Sequence, residues 1–194
     1  MKKIGITGGI GSGKTTICKV FESLNVPVYY ADDEAKNIYL KNSELKLQII
    51  DVFGKDIYHG NGQINRQKLS DIVFNDKDKL EILNRLVHPV VARDFKEWCE
   101  INANSSYIIK EAALLIETGS YKELDYLIYV SAPLEERIDR VVYRDNNSRE
   151  EVLARIKNQM PESDKIRHAD LILENDNNQL LVPKILALHE ELSE

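Results

Sequence analysis

The apolar run KKIGIT at residues 2–7 breaks off into GITGGIGSGKTT, residues 5–16, and no other stretch restricts the fold of this chain so strongly. Gly8, four further residues, Gly13, Lys14 and Thr15 follow the pattern G-x-x-x-x-G-K-[ST]. The pattern stands directly after a predicted strand and before the helical pattern TTICKVFESL, which is the context a phosphate-binding loop requires. Glycines there let backbone N–H groups converge on phosphate oxygens at a helix N-terminus. Lys14 reaches the β- and γ-phosphates, and the Thr15 hydroxyl is a ligand for Mg²⁺. A glycine-rich turn that binds nothing is the plainer alternative, and the complete motif in its right context argues against it.

Four more apolar runs follow KKIGIT: VPVYYA (26–31), SYIIKEA (106–112), DYLIYVSA (125–132) and ADLILEN (169–175). Runs of Val, Ile, Leu and Tyr without alternation describe strands buried on both faces, and the helical patterns between them require parallel crossovers. The expected class is α/β, a P-loop NTPase-type, doubly wound parallel sheet of five strands. With 194 residues, the chain suits one core with elaborations better than two independent domains. The spacing is uneven. Roughly 70 residues separate the second and third strands, several times the length of a crossover helix. Leu80, Leu83, Leu86 and Val87 keep helical spacing there, GNG at 60–62 is turn chemistry, and Pro89 is placed to open a further helix carrying Val91, Phe95 and Trp98. Residues 134–168 hold Arg137, Arg140, Arg144, Arg149, Arg155 and Arg167, with Ser148 and Glu151 spaced as a capping box. The expected organisation is a single P-loop domain: core 1–32, 105–133 and 169–194, a helical acceptor-binding insertion 33–104, and a helical lid 134–168.

The charge balance excludes several partner classes. A net charge of −6, with both signs interspersed, leaves no broad footprint for nucleic acid or an anionic membrane. The N-terminal run is too short and glycine-broken for a signal peptide, and no apolar stretch has the length of a membrane span, so a cytoplasmic protein is expected. Cys18 and Cys99 are far apart in different predicted helices, which fits reduced, core-facing thiols.

A phosphate loop alone permits kinases, GTPases and motor ATPases. A GTPase calls for N-K-x-D after a strand, whereas NDKD at 75–78 has the wrong order and precedes a helix. An oligomeric ATPase calls for an apolar run ending in Asp-Glu, whereas the third strand reads YIIKEAALL. An insertion after the second strand and an arginine-rich segment after the fourth are what a small-molecule kinase uses to hold an acceptor and cover the phosphates.

Beyond the phosphate loop, TGGIGSGKTT, VPVYYADDEAK, LNRLVHPVV, AALLIETGSY, RVVYRD and HADLILEN together resemble, in order and over nearly the whole chain, the dephospho-coenzyme A kinases. The resemblance implies transfer of the γ-phosphoryl of ATP to the ribose 3′-hydroxyl of dephospho-CoA, the last step of coenzyme A synthesis. It implies ATP and Mg²⁺ as cofactors and no obligatory protein partner. With the loop chemistry, it implies Asp32, Lys14 and Arg140 as catalytic groups. Gly11, Ser12, Gly13, Lys14, Thr15, Thr16, Arg144 and Asn175 fall to ATP, and Asp32, His88, Glu111 and Leu114 to dephospho-CoA; Thr15 falls to the metal. The chain departs from the pattern at four places. Tyr30 replaces the first aspartate of D-A-D, leaving Asp32 to inherit the catalytic carboxylate. Glu111 and Ala113 replace the aspartate and proline of the segment around P-L-L-F-E, and Lys36 stands where arginine is common.

Several of these residues fit a second role. Asp32 also fits the N-cap of the following helix. His88 fits either an acceptor contact or a helix-terminal histidine bonded to backbone. Arg137, Arg149 and Arg155 read as a solvated helix face with Glu135, Glu136, Asp139 and Glu150, whereas Arg140 and Arg144, on one helical face, fit phosphate or adenine contacts. Asn175 fits a base contact or a loop cap. Two other functions also compete: another nucleoside or nucleotide kinase, and a nucleotide-sensing protein without transfer activity.

Overall fold

β1 (Lys2–Gly8) runs through the middle of a five-stranded sheet whose order is β2 (Val28–Tyr30), β3 (Tyr107–Glu111), β1, β4 (Tyr126–Ser131), β5 (Leu171–Glu174), all parallel. The computed structural model describes residues 1–176 and 180–194, with the backbone alone at 74 and 75. The 177–179 part of the expected core and the Asn75 side chain of NDKD lie outside the described residues. Met1–Tyr30 with Asn102–Glu194 make one unit, and Ala31–Ile101 a second.

In the first unit, each strand forms within two residues of its apolar run. Burial on both faces holds for the inner strands: every residue of β3 and the middle four of β4 are buried. It fails at the edge, where Leu173 is the buried residue of β5 and Ile172 is 44% exposed. On one face Ile4, Ile6, Tyr107, Ile109, Ile128, Val130 and Leu173 meet Ile17 and Phe21 of α1 (Lys14–Ser23) and Ile185, Leu188 and Leu192 of α9 (Leu181–Ser193). Each such side chain removed from water contributes about 1.5–3 kcal/mol, which fixes the central strand whose end carries the phosphate loop.

After β4 come α6 (Leu134–Asp145), α7 (Arg149–Lys157) and the short α8 (Glu162–Ile166). A small apolar cluster of Ile138, Val141 and Val152 joins α6 to α7, and Ile10 of the phosphate loop packs against it. The expected capping box opens α7: the Glu151 N–H donates to Ser148 Oγ at 3.2 Å, and the Ser148 N–H donates to Glu151 Oε2 at 2.9 Å.

The second unit is helical: α2 (Ala31–Lys41), α3 (Ser43–Phe53), a 3₁₀ turn at Lys55–Ile57, α4 (Arg66–Asn75) and α5 (Lys77–Ile101). Asn42 and Asn65 cap α3 and α4 by accepting from the N–H groups of Leu45 (2.8 Å) and Lys68 (3.0 Å). The GNG turn reverses the chain between Tyr58 and Ile64, which form an antiparallel bridge. Its core gathers Ile38, Leu45, Ile49, Phe53, Ile57, Leu69, Leu83 and Val87, while Leu80 stays 40% exposed. Pro89 does not open a helix: α5 runs through it without interruption for 25 residues. Leu83, Leu86 and Val87 before the proline and Val90 and Val91 after it pack into the same cluster, and that shared face outweighs the lost backbone bond and ring clash.

Candidate active site

The chain leaves β1 at Gly8 and enters α1 at Lys14, so residues 9–13 form a loop at the helix N-terminus. Gly13 is the N-cap, with φ 93°, ψ 17°, and a Cβ there would run into the Asn175 amide; Gly11, at φ 78°, would likewise meet the Arg137 carbonyl. Gly13 is a glycine that the motif demands, and this geometry is the reason; Gly11 occupies one of the motif's four open positions. Lys14 is folded over the loop, its Nζ donating to the carbonyls of Gly8 (3.1 Å) and Gly9 (3.3 Å). Ser12 is buried, and its Oγ finds no hydrogen-bond partner among the described residues, an acceptor-donor group set into the loop. Thr15 and Thr16, in the first turn of α1, are exposed. The positive end of α1, converging N–H groups and one ammonium make a cradle suited to a polyphosphate.

Glu111 closes β3, buried, opposite Ile6 of β1 and Tyr30 of β2. Its charge is felt by Cys18: burial first, then Glu111 and Glu22, hold that thiol protonated, with Lys14 acting in the opposite sense. Cys18 and Cys99 are both buried free thiols, as expected. Leu114 lies beyond β3 and is 43% exposed.

Arg140, on α6, donates from Nη2 to Glu136 Oε2 (2.8 Å) and to the Asn175 carbonyl (3.2 Å). Asn175 follows β5, and its Nδ2 donates to the Ser12 carbonyl at 2.7 Å. Arg140 and Asn175 are thus brought together with the phosphate loop. Arg144 is exposed and paired with its neighbour, donating from Nε and Nη2 to both oxygens of Asp145 at 2.7 and 2.9 Å. The Arg144 guanidinium, with Arg155 adding to it, holds the Asp145 carboxyl below its usual range.

Arg149 and Arg155 lie on a solvated face, paired with Glu135 and Asp145. Arg137 does not. It is 6% exposed, with Nε donating to the Ile10 carbonyl (3.0 Å) and Nη1 to Glu162 Oε2 (3.3 Å). Burial of this guanidinium is set by the phosphate loop, whose Gly9 leaves the space the arginine fills. Lys165 is equally buried and pairs with Glu117 at 2.5 Å. Neither pairing was legible in a segment where acidic and basic residues alternate throughout.

Asp32 and His88 belong to the second unit. α2 begins at Ala31, so Asp32 stands inside the first helical turn and is not the N-cap; a carboxylate there gains from the helix dipole. Its neighbour Asp33 pairs with Lys36 at 2.5 Å. His88 is in the interior of α5, exposed, and lines a shallow groove with Glu81, Asn84, Arg85 and Pro89; the helix-terminal reading fails with the continuity of α5. Among the described residues, no group of three or more His, Cys, Asp and Glu is placed to hold a metal ion, and no helix is long and apolar enough to cross a membrane.

A phosphate loop at the end of the central strand of a parallel 2-3-1-4-5 sheet defines a P-loop kinase scaffold. Comparison with known proteins narrows this class. The sequence model of the dephospho-CoA kinase family matches residues 2–180. A dephospho-CoA kinase of Bacteroides fragilis is 37% identical over 186 residues, covering 96% of this chain and 90% of the relative. Among solved structures, a protein of Thermus thermophilus superposes with TM-score 0.85 at 37% identity, covering 98% of this chain and 97% of that one. The dephospho-CoA kinase of Campylobacter jejuni superposes with TM-score 0.74 at 28% identity, covering 98% and 96%. The chain belongs to the dephospho-CoA kinase family, and it is a kinase.

Proposed function

We propose that the chain transfers the γ-phosphoryl of ATP to the ribose 3′-hydroxyl of dephospho-CoA, giving coenzyme A and ADP, and that it works in the cytoplasm. The observation that carries this reading is the Lys14 cradle, in a chain of this family: an ammonium and a helix N-terminus sit where a polyphosphate is to be neutralised. Asp32, matched to the family's catalytic carboxylate, accepts the hydroxyl proton as the ribose oxygen bonds to phosphorus and the bond to the ADP oxygen breaks. Lys14 and Arg140 offset the charge spread over the phosphoryl oxygens. Gly11, Ser12, Gly13, Thr15, Thr16, Arg144 and Asn175 complete the ATP contacts, and His88, Glu111 and Leu114 those of the acceptor.

The donor set fits Mg²⁺, which keeps most of its waters and substrate phosphates and asks little of the protein; the exposed Thr15 hydroxyl would hold it. Bound there, the ion would offset phosphate charge. Residues 134–168 serve as the lid, excluding water that would otherwise hydrolyse ATP.

The test is phosphoryl transfer from ATP by the purified protein with dephospho-CoA beside AMP, UMP and adenosine. A strong preference for dephospho-CoA is expected. Preference for another acceptor would favour a different nucleoside or nucleotide kinase, and binding of ATP without transfer would favour a sensing protein.

A further inference from the structure

The outer side of the phosphate loop is gripped by the segment that follows β4. The Ile10 N–H donates to Gln159 Oε1 at 3.2 Å, two residues past the end of α7, and the Ile10 carbonyl accepts from Arg137 Nε at 3.0 Å. The Ile10 side chain packs on the α6–α7 apolar cluster. Arg137 is itself held, since Glu162 takes its Nη1 through one oxygen and the Ser131 hydroxyl through the other, at 3.3 and 2.8 Å. A Cβ on Gly9 would run into the Arg137 guanidinium, so this glycine serves the grip.

Peptide planarity converts these outer bonds into inner geometry. In a trans peptide the N–H and C=O point in opposite directions, and among the described residues every peptide is trans. The peptide that sends the Ile10 N–H out to Gln159 therefore sends the Gly9 carbonyl inward, where it accepts from Lys14 Nζ at 3.3 Å and from the Ser12 N–H at 3.2 Å. The next peptide, its Ile10 oxygen held out by Arg137, turns the Gly11 N–H inward by the same rule.

We propose that Gln159 and Arg137 are positioning residues for the phosphate site: from outside the loop they orient the two peptides around Ile10, and so aim the Gly9 carbonyl at Lys14 and the Gly11 N–H into the cradle. Neither side chain touches phosphate. Movement of α7 is passed to the loop through Gln159, so the segment over the site and the loop beneath it respond together. The proposal rests on the reading of this loop as the ATP site.

The test is equilibrium binding of ATP, without acceptor, to the wild type, Gln159→Met, Lys14→Ala and the double variant, with amide exchange followed at Ile10. Methionine keeps the length and removes the oxygen. Gln159→Met is expected to weaken ATP about tenfold, the scale of one unpaired donor. It is expected to speed exchange at Ile10 and leave the β1 and β3 amides as they were. In the Lys14→Ala background the same change is expected to have little further effect, because Gln159 acts through Lys14. Gln159→Glu, which keeps an oxygen at that reach, is expected to restore protection of Ile10, and it serves also if the methionine variant does not fold. ATP affinity within twofold of wild type in Gln159→Met, fully additive losses, or an Ile10 amide indifferent to residue 159 would each overturn the proposal. Absence of ATP binding by the wild type would instead sink the functional reading, while the Ile10 exchange still reports on the bond.

Discussion

A ribose hydroxyl surrenders its proton poorly near neutral pH, and the base proposed for it, Asp32, has a second carboxylate, Asp33, beside it in the chain. Both lie in the first turn of α2, and Asp33 pairs with Lys36, an exposed pair of the kind that contributes about 0–1 kcal/mol. Asp32→Asn is expected to lower turnover by about 10² to 10⁴ with ATP affinity nearly unchanged, since the amide keeps the shape and loses the basicity. Asp33→Asn is expected to be mild. Steady-state kinetics of the two purified variants decide it, and the reverse ranking would move the base to Asp33. The sequence carried much of this scale, because Lys14 and Thr15 sit in a motif whose spacing states their geometry. It could not carry Arg137 or Gln159. Both come from a stretch in which other arginines, Arg144, Arg149 and Arg155, are solvated, and what buries Arg137 is a loop more than 120 residues earlier in the chain.

At the scale of elements, the strands were legible because a buried parallel strand needs an unbroken apolar run, and five such runs gave five strands. α5 was misread because a proline is a strong local signal while the opposing evidence, an apolar face continuing on both sides of it, is tertiary. That conflict has a measurable consequence. Pro89 is exposed, donates no N–H to the Arg85 carbonyl and crowds it. Pro89→Ala is expected to stabilise the helical unit by about 1 kcal/mol or more, the gain in helix propensity less the freedom returned to the unfolded chain. Thermal unfolding checks the sign. If Pro89 shapes the His88 groove for the acceptor, the same variant is expected to raise KM for dephospho-CoA and leave KM for ATP unchanged. A melting temperature below wild type would show that the proline is built into the helix at no cost.

Across the whole molecule, burial has been imposed on a set of weak acids that no motif marks. Burial pushes the phenols of Tyr58 and Tyr129 up to about 12, and it raises Tyr30, Tyr107 and the Cys18 thiol further still. Tyr107 is also bonded to His189 Nδ1 at 2.7 Å, and Tyr129 feels Glu162. Each of these groups stays protonated in the folded chain at a pH where the unfolded chain has released its proton, from ordinary values of 9.0 for the thiol and 10.0 for the phenols. Above pH 9 the unfolded state therefore binds fewer protons than the folded one, and stability must fall as pH rises. Below about pH 8 these groups are protonated in both states and contribute almost no slope; between about pH 8 and 9 the thiol alone begins to contribute. The net charge of −6 adds repulsion of the same sign as the chain grows more negative, but salt screens that part and leaves the buried part in place. The melting temperature is expected to be level with respect to these groups from about pH 7 to 8, to begin falling as the unfolded thiol ionises, and to fall more steeply from about pH 9 to 11 as the phenols follow, in high salt as in low. Tyr129→Phe removes one buried acid without removing its ring and is expected to flatten the alkaline limb. A melting temperature that holds constant up to pH 11 in 1 M salt would mean that these groups ionise as readily in the folded chain as in the unfolded one.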